Sequence, residues 1–111
     1  IISETVSILP AVRQICADIS SGVAPGIVAT KFHNTIAEAS FRMAQKIRDE
    51  KGIQKIVLSG GTFQNKYLAE LLENKLVKDN FAVYTHARVP CNDGGIALGQ
   101  VAIAAHLIHN L

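Results

Sequence analysis

Two glycine-rich turns hold the residue types that could do chemistry in this chain. They are Ser59-Gly60-Gly61-Thr62-Phe63-Gln64-Asn65 and Pro90-Cys91-Asn92-Asp93-Gly94-Gly95. Paired glycines at the C-terminal end of a strand let the backbone bend sharply and approach a ligand with no Cβ in the way. A helix starting just beyond would aim free backbone N–H groups and its positive dipole end at that gap, which suits a phosphate or another anion. The same residues also suit a tight strand-to-helix turn with no ligand. Their spacing is neither that of a Walker loop nor the G-x-G-x-x-G of dinucleotide-binding folds. In the second turn Asp93 has two readings: a cap for the helix that follows, or a single carboxylate ligand for a metal.

Other reactive side chains give weaker signals. His33 lies beside Phe32 in a long helical pattern, where packing or surface exposure is the expectation. His86 follows the second strand, where it either faces the site or, as the stronger expectation, is a solvated loop residue. His106 and His109 are three apart, but near the chain end and far from Asp93. No Ser-His-Asp or Cys-His arrangement can be assembled. Cys16 falls on an apolar helical face and reads as a small buried hydrophobe. It shares no metal-ligand or redox spacing with Cys91.

The elements that must position these turns follow from periodicity. Pro10 suits a first helical turn; Val12, Ile15, Cys16 and Ile19 then recur at helical spacing up to Gly22. A longer helix carries Val28, Phe32, Ile36, Ala39, Met43 and Ile47 as its apolar stripe and ends at Gly52. Lys55 to Ser59 reads as a buried strand. Lys66 to Lys78 is helical, with Leu68, Leu71, Leu72, Leu76 and Val77 apolar, and Asn80 is the expected left-handed cap. Phe81 to Thr85 is a second strand, and Ile96 to Leu111 a closing helix. The order is α-α-β-α-β-α. Its strand-helix-strand unit predicts parallel strands with a right-handed crossover, so both glycine turns should open on one sheet edge, where α/β folds bind ligands.

The 111 residues suit one domain or a sizeable part of one. Hydrophobic residues are 49% of the chain and aromatics 5%, so the core must be aliphatic. Charged residues at 18% and a formal charge of +2 argue against disorder and against a clustered basic nucleic-acid surface. No apolar run approaches the ~20 residues of a membrane span. The absence of a signal-peptide pattern and the sparse cysteines favour a reducing, cytoplasmic setting. Two parallel strands make a thin sheet, and the chain opens Ile1-Ile2 rather than with Met. Both features predict an excerpt of a longer protein.

The stretches Ile56 to Leu68 and Val89 to Gln100 together resemble the C-terminal end of the HypF family, the carbamoyltransferases of nickel–iron hydrogenase maturation. Lys31-Phe32-His33-Asn34-Thr35-Ile36-Ala37 resembles the helix that precedes those motifs. The related TsaD family of tRNA threonylcarbamoyltransferases shares a looser version. The resemblance implies an α/β fold, the C-terminal part of an actin-like ATPase (ribonuclease H-like) lobe, with the chain as a single excerpt of the TsaD-like carbamoyltransferase domain. It implies an enzyme that takes ATP and carbamoyl phosphate, makes a carbamoyl-adenylate, and passes the carbamoyl group to the C-terminal cysteine of the carrier protein HypE. Neither a nucleic acid nor a membrane is then a partner. By position, Gly60, Gly61 and Asn65 match the nucleotide-binding motif and Asp93 the metal-binding aspartate. No catalytic residue is assigned to this chain.

Departures from the family pattern limit what the chain can do alone. The family's H-x-x-x-H metal pair is missing, as are the acylphosphatase-like, zinc-finger-like and adenylate-forming segments expected upstream. Thr62 stands where the family usually has Val, which removes no backbone donor. The excerpt by itself is therefore expected to be inactive. Two rival expectations stay open: a tRNA threonylcarbamoyltransferase segment, or a non-catalytic interaction module.

Overall fold

The computed structural model describes residues 5–110. Helix α1 spans Leu9–Ser20 and α2 spans Pro25–Lys51; strand β1 covers Lys55–Leu58. Helix α3 runs Lys66–Lys78, strand β2 Ala82–Thr85 and helix α4 Ile96–His109. One-turn 3-10 helices, Gly61–Gln64 and Asp93–Gly95, precede α3 and α4 respectively. The mixed α/β order expected from the sequence is the one observed. The strands pair in parallel, with Lys55 opposite Ala82 and Leu58 opposite Thr85. Asn80 adopts φ 67, the left-handed stop expected after α3. The closing helix expected from the sequence extends to Leu111, which lies outside the described residues.

The core sits between α2, α3 and one face of the sheet. Ala37 and Ala44 are buried on α2 and have no bulk, so the Leu68, Leu72 and Leu76 side chains of α3 can pack against that helix. Leu58 and Phe81 close the cluster from the sheet side. Polar clips hold the helices around it. Lys75 of α3 reaches Glu38 of α2 at 3.0 Å. Arg48 meets Asp79 at 2.6 Å, with its guanidinium 4.3 Å from the Phe81 ring centre. At the other end of α2, Lys31 pairs with the buried Asp18 of α1 at 3.1 Å.

Each clip lowers the carboxyl it holds. Asp18 falls below its ordinary range because Lys31, then Gln14, hydrogen-bonds its charged form. Glu38 falls through Lys75 and then Arg42, and Asp79 through Gln45 and then Arg48.

Several burial expectations fail because apolar surface lacks a second layer: one face of the sheet is bare, and grooves beside α2 stay open. β1 was expected to be buried, yet Val57 is 67% exposed, and Tyr84 beside it in β2 is 53% exposed. The stripe expected to be the apolar contact of α2 borders open grooves instead. Ile36, Ala39, Met43 and Ile47 line one, while Val28 and Phe32 line another between α1 and α2. Cys16 is exposed rather than buried. It lies beside the Ile15–Asp18 line that α1 turns toward α2, with no second layer over it. α4 does not close the molecule either. Every described position from Ile96 to Asn110 is exposed, and the chain extends over 61 × 32 × 26 Å.

Candidate functional site

Parallel pairing brings both glycine turns to the carboxyl edge of the sheet. Because Leu58 sits opposite Thr85, the next residues on each chain also meet. Ser59 Oγ and His86 Nε2 lie 2.8 Å apart. His86 is exposed, as read from the sequence, but it is also tied to the first turn. No pattern in the chain signals that pairing; only the strand register does. Between the two outgoing segments lies a groove of about 290 Å3, with Leu58, Phe63, His86, Val89 and Cys91 in its lining.

The two turns need glycine for different reasons. Gly60 has φ 101 and ψ 158, a region that only glycine occupies without strain. A Cβ placed there, or at Gly61, would meet nothing within 4 Å, so the space above the turn is open. Gly95 is the opposite case. A Cβ there would sit 2.8 Å from the Pro90 carbonyl oxygen and 3.0 Å from Val89. Its glycine lets the loop fold onto itself rather than admit a ligand.

Backbone donors at the first turn are arranged differently from the simple expectation of a helix opening on the glycines. The Phe63 N–H donates to the Gly60 carbonyl at 3.1 Å, and Asn65 N–H to Thr62. The N–H groups of Gly61 and Thr62 take no backbone acceptor among the described residues. α3 begins one turn later because Asn65 caps it, its Oδ1 accepting from the Leu68 N–H at 3.2 Å. The open donors of this segment thus belong to the 3-10 turn rather than to α3.

Asn65 is held at both ends of its amide. Its Nδ2 lies 2.7 Å from His33 Nε2, and His33 Nδ1 lies 2.7 Å from the Ala29 carbonyl oxygen. The His33 ring also packs edge-on against Tyr67, 5.6 Å between centres. His33 is half-buried packing, as expected of a lone helical histidine, but its partner is a site residue.

Asp93 opens the second 3-10 turn; it is exposed, and its side chain makes no hydrogen bond or ion pair among the described residues. The capping reading fails for it: α4 starts after Gly95 with no side-chain cap, and Asn92 Oδ1, accepting from the Gly94 N–H at 3.0 Å, caps the 3-10 turn. Among the described residues no three His, Cys, Asp or Glu side chains gather as a metal cluster. His106 and His109 are exposed on α4, away from the sheet edge, as the sequence implied. No helix among the described residues is long and apolar enough to cross a membrane.

An α/β lobe with a glycine turn open at the carboxyl edge of parallel strands defines the class of molecule. Residues 2–100 match the family described as "Carbamoyltransferase, Kae1-like Domain, second subdomain". The chain is similar to carbamoyltransferase HypF of Rhodobacter capsulatus, 36% identical over 87 residues, which is 78% of this chain and 12% of that protein. With carbamoyltransferase HypF of Synechocystis sp. it shares 39% identity over 75 residues, 68% of this chain and 9% of that protein. A crystal structure of full-length HypF in its phosphate- and nucleotide-bound form superposes with a TM-score of 0.86 and 47% identity. That match covers 87% of this chain and 13% of that one. The chain belongs to the HypF carbamoyltransferase family, and it spans about an eighth of the length of such relatives.

Proposed function

We propose that this chain supplies one wall of the nucleotide site of a carbamoyltransferase that uses ATP and carbamoyl phosphate and delivers the carbamoyl group to the C-terminal cysteine of HypE. The observation that carries the proposal is Gly60: a conformation open only to glycine, beside open space and two N–H groups that take no backbone acceptor among the described residues, at the sheet's carboxyl edge. Gly61 and Thr62 would donate to phosphate oxygens, and Gly60 lets the backbone approach them. Asn65 borders the same gap, with one N–H and one lone pair beyond those it already uses.

Asp93 fits a divalent cation as one carboxylate ligand, the rest coming from outside this chain. A cation there would neutralise phosphate charge, which is electrostatic positioning rather than a bond-making role. Bound ATP supplies the adenylyl group that activates the carbamoyl unit; this chain's part is to orient the phosphates. The activity therefore belongs to a longer protein that includes the remaining lobe, and the chain alone is expected to be inactive.

The test places this chain in a full-length relative, in place of the matching segment, and measures carbamoyl transfer to HypE. Transfer by the chimera is expected, with Asp93→Ala abolishing it while the circular-dichroism melt stays unchanged. Undiminished transfer by that variant would sink the metal role. Calorimetry with ATP and Mg2+ on the 111-residue chain alone should show weak binding or none, with binding restored in the chimera. If neither binds, the turns are structural and the chain is an interaction module.

A further inference from the structure

We infer that His33 is a positioning residue for the nucleotide site: it fixes which way the Asn65 amide faces and, through it, where α3 begins. The inference rests on the nucleotide reading of Asn65 and adds a residue that reading did not include.

The hydrogen-bond chain admits one assignment. The Leu68 N–H is a donor, so the Asn65 atom beside it, at 3.2 Å, must be the carbonyl oxygen. The amide nitrogen then faces His33 Nε2 at 2.7 Å, and that nitrogen must accept. The ring proton therefore sits on Nδ1, where the Ala29 carbonyl oxygen receives it at 2.7 Å. A flipped Asn65 would set its NH2 against the Leu68 N–H, and an imidazolium would set two donors against each other. Each link thus enforces the next, from the α2 backbone to the third residue of α3.

Two further contacts hold the ring in place. Tyr67 packs edge-on against it, and the Tyr67 hydroxyl donates to Asn34 Oδ1 at 2.9 Å. His33 and Asn34 on α2 thereby grip the first turn of α3 from both sides. With its orientation set, Asn65 has its second N–H and second lone pair free for a ligand. Without His33 the amide could rotate, and a ligand would have to fix it on binding, which costs affinity.

The experiment is nitrogen-15 NMR on the full 111-residue chain, with His33→Leu and His33→Gln beside it. His33→Gln keeps an acceptor at about the reach of Nε2 and should act as the rescue. The expected spectrum shows the Nδ1-protonated neutral tautomer of His33. Exchange of the Leu68 amide should be about tenfold faster in His33→Leu, in line with a lost helix cap, and near the parent rate in His33→Gln. An Nε2-protonated ring, or Leu68 exchange equal in all three proteins, would overturn the inference.

The ligand step is read separately, by titrating ATP with Mg2+ into the chimeric full-length protein. Affinity should fall in His33→Leu and recover in His33→Gln. Equal affinity in all three overturns the positioning role. Failure of the parent chimera to bind ATP overturns the nucleotide reading itself, while the tautomer and exchange data still decide whether His33 orients Asn65.

Discussion

Gly60 and Gly61 are neighbours in one motif, yet the backbone asks different things of them. Gly60 sits at φ 101, so Gly60→Ala must strain the turn even though a methyl group would find open space. Gly61 shows no such φ and equal room. We expect Gly60→Ala to cost about 1–3 kcal/mol and Gly61→Ala well under ~1 kcal/mol, measured by urea unfolding. Equal costs would mean the turn relaxes freely, which would remove the main support for a pre-shaped phosphate gap. At the same scale, Asn65 shows how a motif residue acquires a second job. Its place in the first glycine-turn motif was legible in the sequence, but its cap to Leu68 and its bond to His33 were not. His33 and Asn65 are separated by 32 positions, and no local pattern joins them.

Helices α2 and α3 carry the stability of the fold, and the predictions at this scale concern their contact. Leu76 is 1% exposed at the centre of the core. Leu76→Ala removes its methyl groups and leaves a cavity, for a cost of about 2–5 kcal/mol. In a chain with so thin a core that loss should leave little native circular dichroism at 37 °C.

The carboxylate clips make a second prediction. Asp18, Glu38 and Asp79 are all held below their ordinary values by hydrogen-bonding partners on neighbouring helix turns or helices. A carboxyl lowered in the folded state adds stability above its unfolded pKa, about 4, and loses it as pH falls through the lower folded value. The urea midpoint should therefore be level from about pH 7 to 5 and drop below about pH 4. Asp79→Asn should flatten part of that drop. A midpoint insensitive to acid would show that the clips contribute nothing.

The whole molecule exposes the apolar surface that its elements were expected to bury. Ile96, Leu98, Val101, Ile103, Leu107 and Ile108 of α4 are each more than half exposed. A helix apolar on all sides is one that ordinarily lies inside a larger structure. The bare face of the sheet and the grooves beside α2 add to that area. The isolated chain should accordingly self-associate as concentration rises, visible by sedimentation velocity. Ile103→Lys with Ile108→Lys should shift it toward monomer. A monodisperse parent chain at high concentration would count against this.

Local pattern was enough to place the helices and strands. Pro10, Pro25, Gly52 and Asn80 punctuate the chain, and residue spacing distinguishes helix from strand between them. α3 was read with the bounds observed, and the strand-helix-strand order implied the parallel pairing that the sheet shows. The glycine turns, with Asn65 and Asp93, were likewise visible as motifs. Which apolar face is buried was not, because periodicity reports an amphipathic stripe without reporting what covers it. Cys16 and Val57 are exposed for that reason, and the α2 stripe is only half-buried apart from the exposed Phe32. Nor could spacing assign roles within the motifs. Whether a glycine serves a backbone angle or a crowded loop depends on φ and on neighbours folded back from elsewhere, as Gly60 and Gly95 show. The partners of Ser59 and Asn65 likewise come from distant residues, His86 and His33, brought close by strand register and helix packing.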